Sequence, residues 1–337
     1  MKKNLISVIM GVHNEKDEYL LLAVDSILKQ TYKELEFIII DDHSDEHCES
    51  LLNETATKDA RIRLYRNETN HGLTKSLNRG LELAEGEYIA RMDADDFSTA
   101  DRFEKQMAYL NCHPDIDILG GGVVSFGNET VFMSPAFGYN NEEAQCDLFF
   151  QSTLCHPSVM MRRSFLDKYN LTYDENVKKG QDYDMWERCS VHGHLAVMDD
   201  VVLYYRTHAA QITSTNRGDQ DGTAKMVRTR RLHRLGLNPS EQDYKCHLML
   251  LGLVDRSISC KEVEDWMNKV LEANKEVRIA DPDMLSQNLH NRFVLYKARN
   301  GKRSIADLPV LVKTAISRLK MRNKLKRVSE QISRTLK

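Results

Sequence analysis

The stretch ARMDADDFS, residues 90–98, places three carboxylates within four positions, at Asp93, Asp95 and Asp96. The apolar run GEYIA, residues 86–90, leads directly into them. Carboxylates this close repel one another, and a hard cation such as Mg²⁺ or Mn²⁺ relieves that repulsion because it takes oxygen ligands. Such a cation completes its shell with substrate phosphates and water. The alternative is a solvated acidic turn that caps the following helix, a position that Asp favours.

Apolar runs and amphipathic stretches alternate before residue 100. The predicted strands are LISVIM (5–10), EFIIIDD (36–42), RIRLYRN (61–67) and EYIARMD (87–93). The predicted helices are YLLLAVDSILKQ (19–30) and GLTKSLNRGLELAEG (72–86), the latter with Leu73, Leu77, Leu81 and Ala84 on one face and Gly86 as its stop. This alternation predicts an α/β fold with a mainly parallel sheet that helices cover on both faces.

Polar clusters follow several of these strands at their carboxyl ends. GVHNE follows the first strand, DDHS follows the second, and DADD follows EYIARM. Ligands of open α/β sheets bind at the carboxyl ends of the strands, which favours the metal interpretation of the acids over a simple cap. The sequence has no GxxxxGK(S/T) loop and no GxGxxG after its first strand, which argues against P-loop and dinucleotide enzymes.

The pattern becomes mixed beyond Asp101 and then mostly helical. We predict helices at 101–114, near 141–150 and at 181–193, and strands at 115–126 and within 195–208. Helical segments such as 225–236 and 260–277 dominate from about Gly218 onward. The sequence therefore predicts one domain over residues 1–217 and a mostly helical region over 218–337.

The charges are balanced overall but unevenly placed. The net charge of −3 indicates no nucleic-acid partner, yet the chain from Gly301 onward carries eleven Lys and Arg against two acids. Within Val312–Lys337, an apolar stripe at helical spacing is surrounded by basic residues; its members are Met321, Leu325, Val328, Ile332 and Leu336. Such a helix either packs on the body of the protein or binds an anionic membrane surface.

The cysteines and apolar runs bear on the compartment. The seven cysteines are scattered without a CxxC pair, which indicates neither a disulfide framework nor a zinc site and fits a reducing compartment. The N-terminal apolar run is too short for a signal peptide, and no stretch reaches the roughly 18 apolar residues of a membrane span. We expect a cytoplasmic protein that is peripheral on the inner face of the plasma membrane.

Five motifs in order carry a family resemblance. SVIMGVHNE, IIIDDHSDE, NHGLTKSLNRGLELAEGEYIARMDADD, HPSVMMRRS and QDYDMW resemble a family 2 inverting glycosyltransferase over about residues 4–215. Bacterial O-antigen, capsule and lipo-oligosaccharide transferases look most similar. The resemblance implies a GT-A fold, a Rossmann-like mixed sheet flanked by helices with a C-terminal helical appendage. The nucleotide-sugar half would span about 1–100 and the acceptor half about 101–217.

The resemblance also implies a UDP-sugar lying across the strand ends. The residues it places along this donor are Gly11, Val12, His13, Glu15, Asp42, Lys75, Asn78, Asp93 and Ala94. Gly11 stands where the family usually has proline, and the carboxylate of Asp42 would accept from the uracil imide. Lys75 either neutralises phosphate or is a solvated helix lysine.

The metal ligands and the base follow from the same resemblance. Asp95 would be the principal ligand of Mn²⁺ or Mg²⁺, Asp93 a second and His208 a third, while Asp96 would be structural. Asp182 in QDYDMW would be the general base, although Gln181 replaces the Glu that usually precedes it. Two further positions are less defined: Asp184 competes as the base, and His156 either faces a sugar or is structural.

The implied activity is transfer of a hexose or N-acetylhexosamine from a UDP-sugar to a hydroxyl of a glycan acceptor linked to polyprenyl diphosphate. Two alternatives remain, a GT-A domain that binds a nucleotide sugar without transferring it and a nucleotidyltransferase. The latter would carry a Gly-rich loop with Arg or Lys after the first strand, which GVHNEKDEY is not. A non-catalytic domain would be expected to lack Asp95 or Asp182.

Overall fold

The computed structural model describes residues 1–127, 132–133, 138–207, 217–253, 255, 257–302 and 305–314. The chain forms two compact units, one from Met1–Asn140 and Thr153–Thr223, the other from Asn141–Ser152 and the chain from Ala224 onward. The domain bounds 1–217 and 218–337 stay a prediction. The basic tail and His208 lie outside the described residues, apart from positions 312–314 of the tail.

The strands and helices of the described residues have the following bounds. The strands are β1 Lys2–Val12, β2 Leu35–Asp41, β3 Ile62–Arg66, β4 Gly86–Arg91, β5 Phe97–Ser98, β6 Ile116–Gly127, β7 Phe132–Met133, β8 Met160–Arg162 and β9 His194–Thr207. The helices are α1 Asp17–Leu28, α2 Glu46–Lys58, α3 Leu73–Leu83, α4 Arg102–Cys112, α5 Asn141–Asp147, α6 Arg163–Tyr169, α7 Gln181–Cys189, α8 Arg217–Arg234, α9 Glu241–Leu251, α10 Cys260–Val277 and α11 Pro282–Arg299.

One mixed sheet runs through the first unit. Its strand order is β3-β2-β1-β4-β8-β6-β9-β5, and β7 pairs with β6. The strands β3, β2, β1 and β4 are mutually parallel, whereas β8 runs antiparallel to β4 and β6. The predicted mixed sheet flanked by helices is confirmed, and β1, β2 and β4 end at the same edge.

Burial explains why the first strands and α1 were predictable. All seven residues of β2 are buried, which matches a strand covered on both faces. Helix α1 buries Leu20, Ala23, Val24 and Ile27, the spacing of a single helical face.

Helix α2 was not predicted because its apolar content is sparse. It buries only Cys48, Leu52 and Thr55, so the sequence shows little periodicity. What fixes its start is a polar contact, since the Asp45 side chain accepts from the Cys48 backbone N–H at 2.9 Å.

The prediction that Gly86 ends the helix before it was wrong. Helix α3 ends at Leu83, and Gly86 is the first residue of β4. A Cβ at Gly86 would lie 2.5 Å from the Leu5 carbonyl oxygen, and its N–H donates to Ser7 Oγ at 2.9 Å. The position therefore needs glycine because another backbone approaches it closely.

Small residues seat α3 on the sheet. The helix buries Thr74, Ser76, Leu77 and Gly80, while Leu73 and Leu81 are only partly buried. A Cβ at Gly80 would lie 2.4 Å from Ile9 Cγ2 of β1. The helix thus lies close to β1 through its smallest residues, not through the full leucine face that the spacing suggested.

The second unit has a core of its own. It includes Trp266, Leu285 and Leu289 from the C-terminal helices. Ser240 and Ser259 begin α9 and α10 with reciprocal side-chain and backbone bonds, which satisfy N–H groups at the helix starts. Among the helices of the described residues, none combines the length and apolar character that a membrane crossing requires.

Substitution of Gly80 should destabilise the protein because an added methyl overlaps Ile9. We expect Gly80→Ala to lower the free energy of unfolding by about 1–3 kcal/mol, measured by urea denaturation. Gly222→Ala is the matched control, since a Cβ at this helical glycine meets no atom within 4 Å. The control should be neutral or stabilising by up to about 1 kcal/mol. Equal stability of the two variants would contradict the close packing of α3.

Candidate active site

The turns after β1 and β2 are bound to each other. Asn14 has a left-handed backbone with φ of 52°, its N–H donates to Ser44 Oγ at 3.1 Å, and its Oδ1 accepts from Asp45 N at 2.7 Å. His13 Nδ1 donates to the Asp42 carbonyl oxygen at 3.0 Å, and the His13 side chain is exposed. The two turns therefore form one continuous surface at the strand ends.

Asp42 is buried and heavily hydrogen-bonded. Its Oδ1 accepts from Asn67 Nδ2 at 2.6 Å and His71 N at 2.9 Å, and its Oδ2 accepts from Gly72 N at 2.8 Å. Burial acts to raise the pKa of this carboxyl, but the bonds from Asn67, His71 and Gly72 outweigh it and hold the pKa below its ordinary value. The carboxylate binds the start of α3 from within the protein.

The other predicted donor residues of the first turn lie beside it. A Cβ at Gly11 would stand 3.2 Å from Leu73 Cδ1, so α3 closely covers this position. Val12 is buried, and the partly buried Glu15 accepts from the Lys16 backbone N–H at 2.8 Å. These residues share one end of the sheet, and their contacts with a donor stay a prediction.

The acidic turn after β4 brings its three carboxylates together. One oxygen each from Asp93, Asp95 and Asp96 lie within 4.8 Å of one another. Asp96 is fully buried, its Oδ1 accepts from Arg206 N at 2.7 Å, and its Oδ2 has no hydrogen-bond partner among the described residues. A buried carboxylate oxygen without a donor, beside two other carboxylates, fits a hard divalent cation.

Arg91 provides a buried positive charge at this turn. It is 3% exposed and forms an ion pair with Asp93. Burial raises the pKa of Asp93, the Arg91 guanidinium opposes that rise, and the carboxylates of Asp95 and Asp182 add to it. Asp182 therefore lies close enough to the acidic turn for its charge to act on Asp93.

Two more arginines hold the backbone of the acidic turn. Arg102, which is fully buried, donates through Nη2 to the carbonyl oxygens of Arg91 at 3.0 Å and Val159 at 3.2 Å. Arg206 donates through Nε to the Asp95 carbonyl oxygen at 2.8 Å. These contacts hold the backbone of the turn in addition to the side-chain contacts of Asp93 and Asp96.

Helix α7 distinguishes the two candidate bases. Gly180, with φ of 71°, precedes the helix, and Asp182 lies in its first turn with partial exposure. Asp184 is fully buried, and its Oδ2 accepts from Arg188 Nε at 2.8 Å. A carboxylate that is buried in an ion pair is poorly placed to take a proton from a substrate, which favours Asp182.

His156 is bonded to Tyr173 within the protein. Its Nε2 lies 2.7 Å from the Tyr173 hydroxyl, and both side chains are buried. Burial lowers the pKa of His156 well below its ordinary value, and the Arg91 charge lowers it further. The ring is therefore neutral at physiological pH. The contact that the structure shows for it, a hydrogen bond to a buried tyrosine, is a structural one.

Helix α3 presents the remaining predicted donor residues. The Asn78 side chain donates to the Tyr173 carbonyl oxygen at 2.9 Å and accepts from the Tyr173 N–H at 2.9 Å. Lys75 is half-exposed, with its Nζ 3.9 Å from Glu175 Oε2. Asn78 is thus engaged by another segment of the chain, an arrangement that the sequence did not reveal.

Comparisons with known proteins decide the family. The family model described as Glycosyl transferase family 2 matches residues 7–170. An uncharacterised glycosyltransferase of Methanocaldococcus jannaschii is 36% identical over 211 residues, which cover 61% of this chain and 72% of that protein. An uncharacterised glycosyltransferase of Haemophilus influenzae is 30% identical over 250 residues, which cover 69% and 76% respectively. The chain belongs to glycosyl transferase family 2.

A solved structure confirms the fold of this family 2 glycosyltransferase. S. aureus TarS 1–349, in complex with UDP-GlcNAc, matches with a TM-score of 0.59 at 17% identity, covering 89% of this chain and 93% of that one. At this identity the likeness concerns the fold alone. The GT-A fold and the glycosyltransferase class that the ordered motifs implied are confirmed.

Several contributors to the site of this glycosyltransferase were missed in the sequence. Arg91 stands in ARMDADD, two positions before Asp93. That its side chain is buried is known only from the structure. Arg102, Arg206 and Tyr173 are brought to the site from other elements. The only sequence signal for these residues is an apolar strand, β4, that ends in arginine, and this signal identifies only Arg91.

The depressed pKa of Asp42 predicts a pH-dependent stabilisation. A carboxyl with a lower pKa in the folded state stabilises the fold above its unfolded pKa of about 4, and this is lost as the pH falls through the folded value. Asp42→Asn should therefore lower the free energy of unfolding at pH 7 by about 1–3 kcal/mol. The difference from wild type should shrink below about pH 4 in urea titrations. Asp115→Asn, at an exposed carboxylate, is the control, and a pH-independent difference for Asp42→Asn would contradict the assignment.

Proposed function

We propose that this glycosyltransferase moves a hexose or N-acetylhexosamine from a UDP-sugar to a hydroxyl of a glycan acceptor, with inversion. The observation that carries the proposal is that a cluster of carboxylates after β4 and a further carboxylate lie close together. The further carboxylate is Asp182, whose charge acts on Asp93 in the cluster. The TarS neighbour, which was solved with UDP-GlcNAc, supports a UDP-linked donor. The uracil would be a further hydrogen-bond donor to Asp42.

Asp95 and Asp93 are the proposed ligands of Mn²⁺ or Mg²⁺. The bound cation would stabilise the negative charge of the departing diphosphate. The ion pair with Arg91 orients Asp93, Arg206 fixes the Asp95 backbone, and one carboxylate oxygen of each lies within 4.8 Å of the other. Asp96 is proposed as structural, since it is fully buried and its Oδ1 accepts from Arg206 N. His208 stays a proposed third ligand.

Asp182 is the proposed general base of a single displacement. As the acceptor oxygen bonds to the anomeric carbon, the bond from that carbon to the diphosphate oxygen breaks and UDP leaves. The acceptor proton passes to the Asp182 carboxylate. Gln181, which is buried directly before it, offers only neutral hydrogen bonds where the family usually has Glu.

The acceptor is proposed to be a glycan linked to polyprenyl diphosphate, in bacterial surface polysaccharide synthesis. The support is the resemblance of the ordered motifs together with the basic amphipathic helix predicted within Val312–Lys337. A basic amphipathic segment binds anionic membrane surfaces, where each Lys or Arg contributes on the order of 1 kcal/mol. Peripheral association with the inner face of the plasma membrane is part of this proposal.

Metal dependence and donor class can be tested together. We expect UDP release from one member of a panel of UDP-glucose, UDP-galactose, UDP-GlcNAc and UDP-GalNAc, with candidate acceptors. Asp95→Ala and EDTA should each abolish it, and Mn²⁺ or Mg²⁺ should restore activity after EDTA because the diphosphate again gains a counter-charge. Asp115→Ala, an exposed carboxylate directly before β6 at the opposite edge of the sheet, should keep full activity. Undiminished turnover in EDTA by metal-free protein would refute the metal proposal.

The assignment of the base predicts different outcomes for two neighbouring carboxylates. Asp182→Asn should lower transfer by about 10²–10⁴-fold, the range for a lost general base, with UDP affinity retained. Asp184→Asn should mainly lower stability, since it weakens the ion pair that the buried Asp184 forms with Arg188. Transfer kinetics, UDP titration calorimetry and thermal melts separate the two effects. If folded Asp184→Asn lost more activity than Asp182→Asn, the base would be Asp184.

A further inference from the structure

Asn78 forms a two-way bridge between helix α3 and the segment Leu171–Gly180. Its amide donates to the Tyr173 carbonyl oxygen and accepts from the Tyr173 N–H, both at 2.9 Å. One turn earlier on the same helix, Thr74 Oγ1 donates to the Val177 carbonyl oxygen at 3.2 Å. Three hydrogen bonds therefore tie this segment to a single helix face.

The helix that carries Asn78 is itself rigidly placed. Gly80 allows α3 to lie against Ile9 of β1 at a distance that excludes even a methyl group. The carboxylate of Asp42 accepts from the N–H groups of His71 and Gly72 where the helix begins. Asn78 thus projects from an element that is fixed at its start and along its length.

The bridged segment leads directly into the helix of the proposed base. Val177 precedes Asp182 by five residues, and Gly180 turns the chain into α7. The other end of the segment is bound to α7 as well, since Arg188 Nη2 donates to the Thr172 carbonyl oxygen at 2.7 Å. The segment therefore connects α3 to the start of α7 and to Arg188 near its end.

We propose that Asn78 is a positioning residue for Asp182, not a ligand of the donor. Its bridge to Tyr173 sets the position of the segment that leads into α7. It thereby fixes the Asp182 carboxylate relative to the acidic turn. This inference rests on the proposed role of Asp182 as the base. It replaces the donor-binding role that the sequence suggested for Asn78, because the amide groups are already paired with the backbone.

The size of the expected effect follows from the geometry of proton transfer. A displacement of about 1 Å in a reacting group can cost about 10²-fold in rate. Asn78→Ala should therefore lower kcat by about 10–10²-fold, while the Kd for UDP stays within about twofold of wild type. A ligand of the donor would show the reverse pattern, with a raised Kd and a retained kcat.

The experiment measures kcat with the donor and acceptor that the panel selects, and Kd with UDP alone by calorimetry. Glu82→Ala is the matched control, an exposed residue one turn further along α3, and should change neither value. Thr74→Val removes the second attachment with a side chain of similar shape, and should lower kcat about tenfold through a smaller displacement. It keeps the inference testable if Asn78→Ala fails to fold.

A double-mutant cycle separates positioning from an independent role. In the Asp182→Asn background, Asn78→Ala should cause no further loss, because there is no base left to position. Multiplicative losses in the double variant, or an Asn78→Ala protein with raised UDP Kd and unchanged kcat, would overturn this inference alone. Full transfer by Asp182→Asn itself would overturn the base assignment and this inference together.

Discussion

The site depends on how carboxylates are kept together at the end of β4. The charges of Asp95 and Asp182 act on Asp93, those of Asp93 and Asp95 act on Asp96, and burial makes this repulsion costly. The buried guanidinium of Arg91 offsets part of this charge permanently, through its ion pair with Asp93. A cation bound there, as proposed above, would offset more of it.

The sheet topology supplies the scaffold for that arrangement. Because β8 pairs antiparallel with β4, the carbonyl of Val159 reaches the end of β4 and accepts from Arg91 N at 3.2 Å and Arg102 Nη2 at 3.2 Å. The acidic turn is therefore supported by backbone from the half that is expected to hold the acceptor. The two predicted halves therefore share structural support at this turn.

The sequence predicted what local patterning determines. Continuous apolar runs revealed β1, β2 and β4, helical spacing revealed α1 and α10, and polar clusters at strand ends indicated a candidate site. The sequence did not predict features that depend on long-range contacts. Asn78 bonds to Tyr173, which is 95 positions away, and Gly86 must be glycine because the Leu5 backbone approaches it closely. Chemistry-bearing residue types are readable from one chain, whereas the side chains that hold them are not.

The second unit is assembled from discontinuous parts of the chain, with consequences for synthesis and for truncation. Its segment Asn141–Ser152 contributes Phe149 and Phe150, which are fully buried in a core with Trp266 and Leu289. During translation these two phenylalanines emerge long before the helices that cover them, and they must wait in a partly exposed state. A chain cut after residue 217 would keep Phe149 and Phe150 but lose the C-terminal helices that bury them. A fragment that ends at this point would therefore need polar residues at positions 149 and 150 to avoid aggregation.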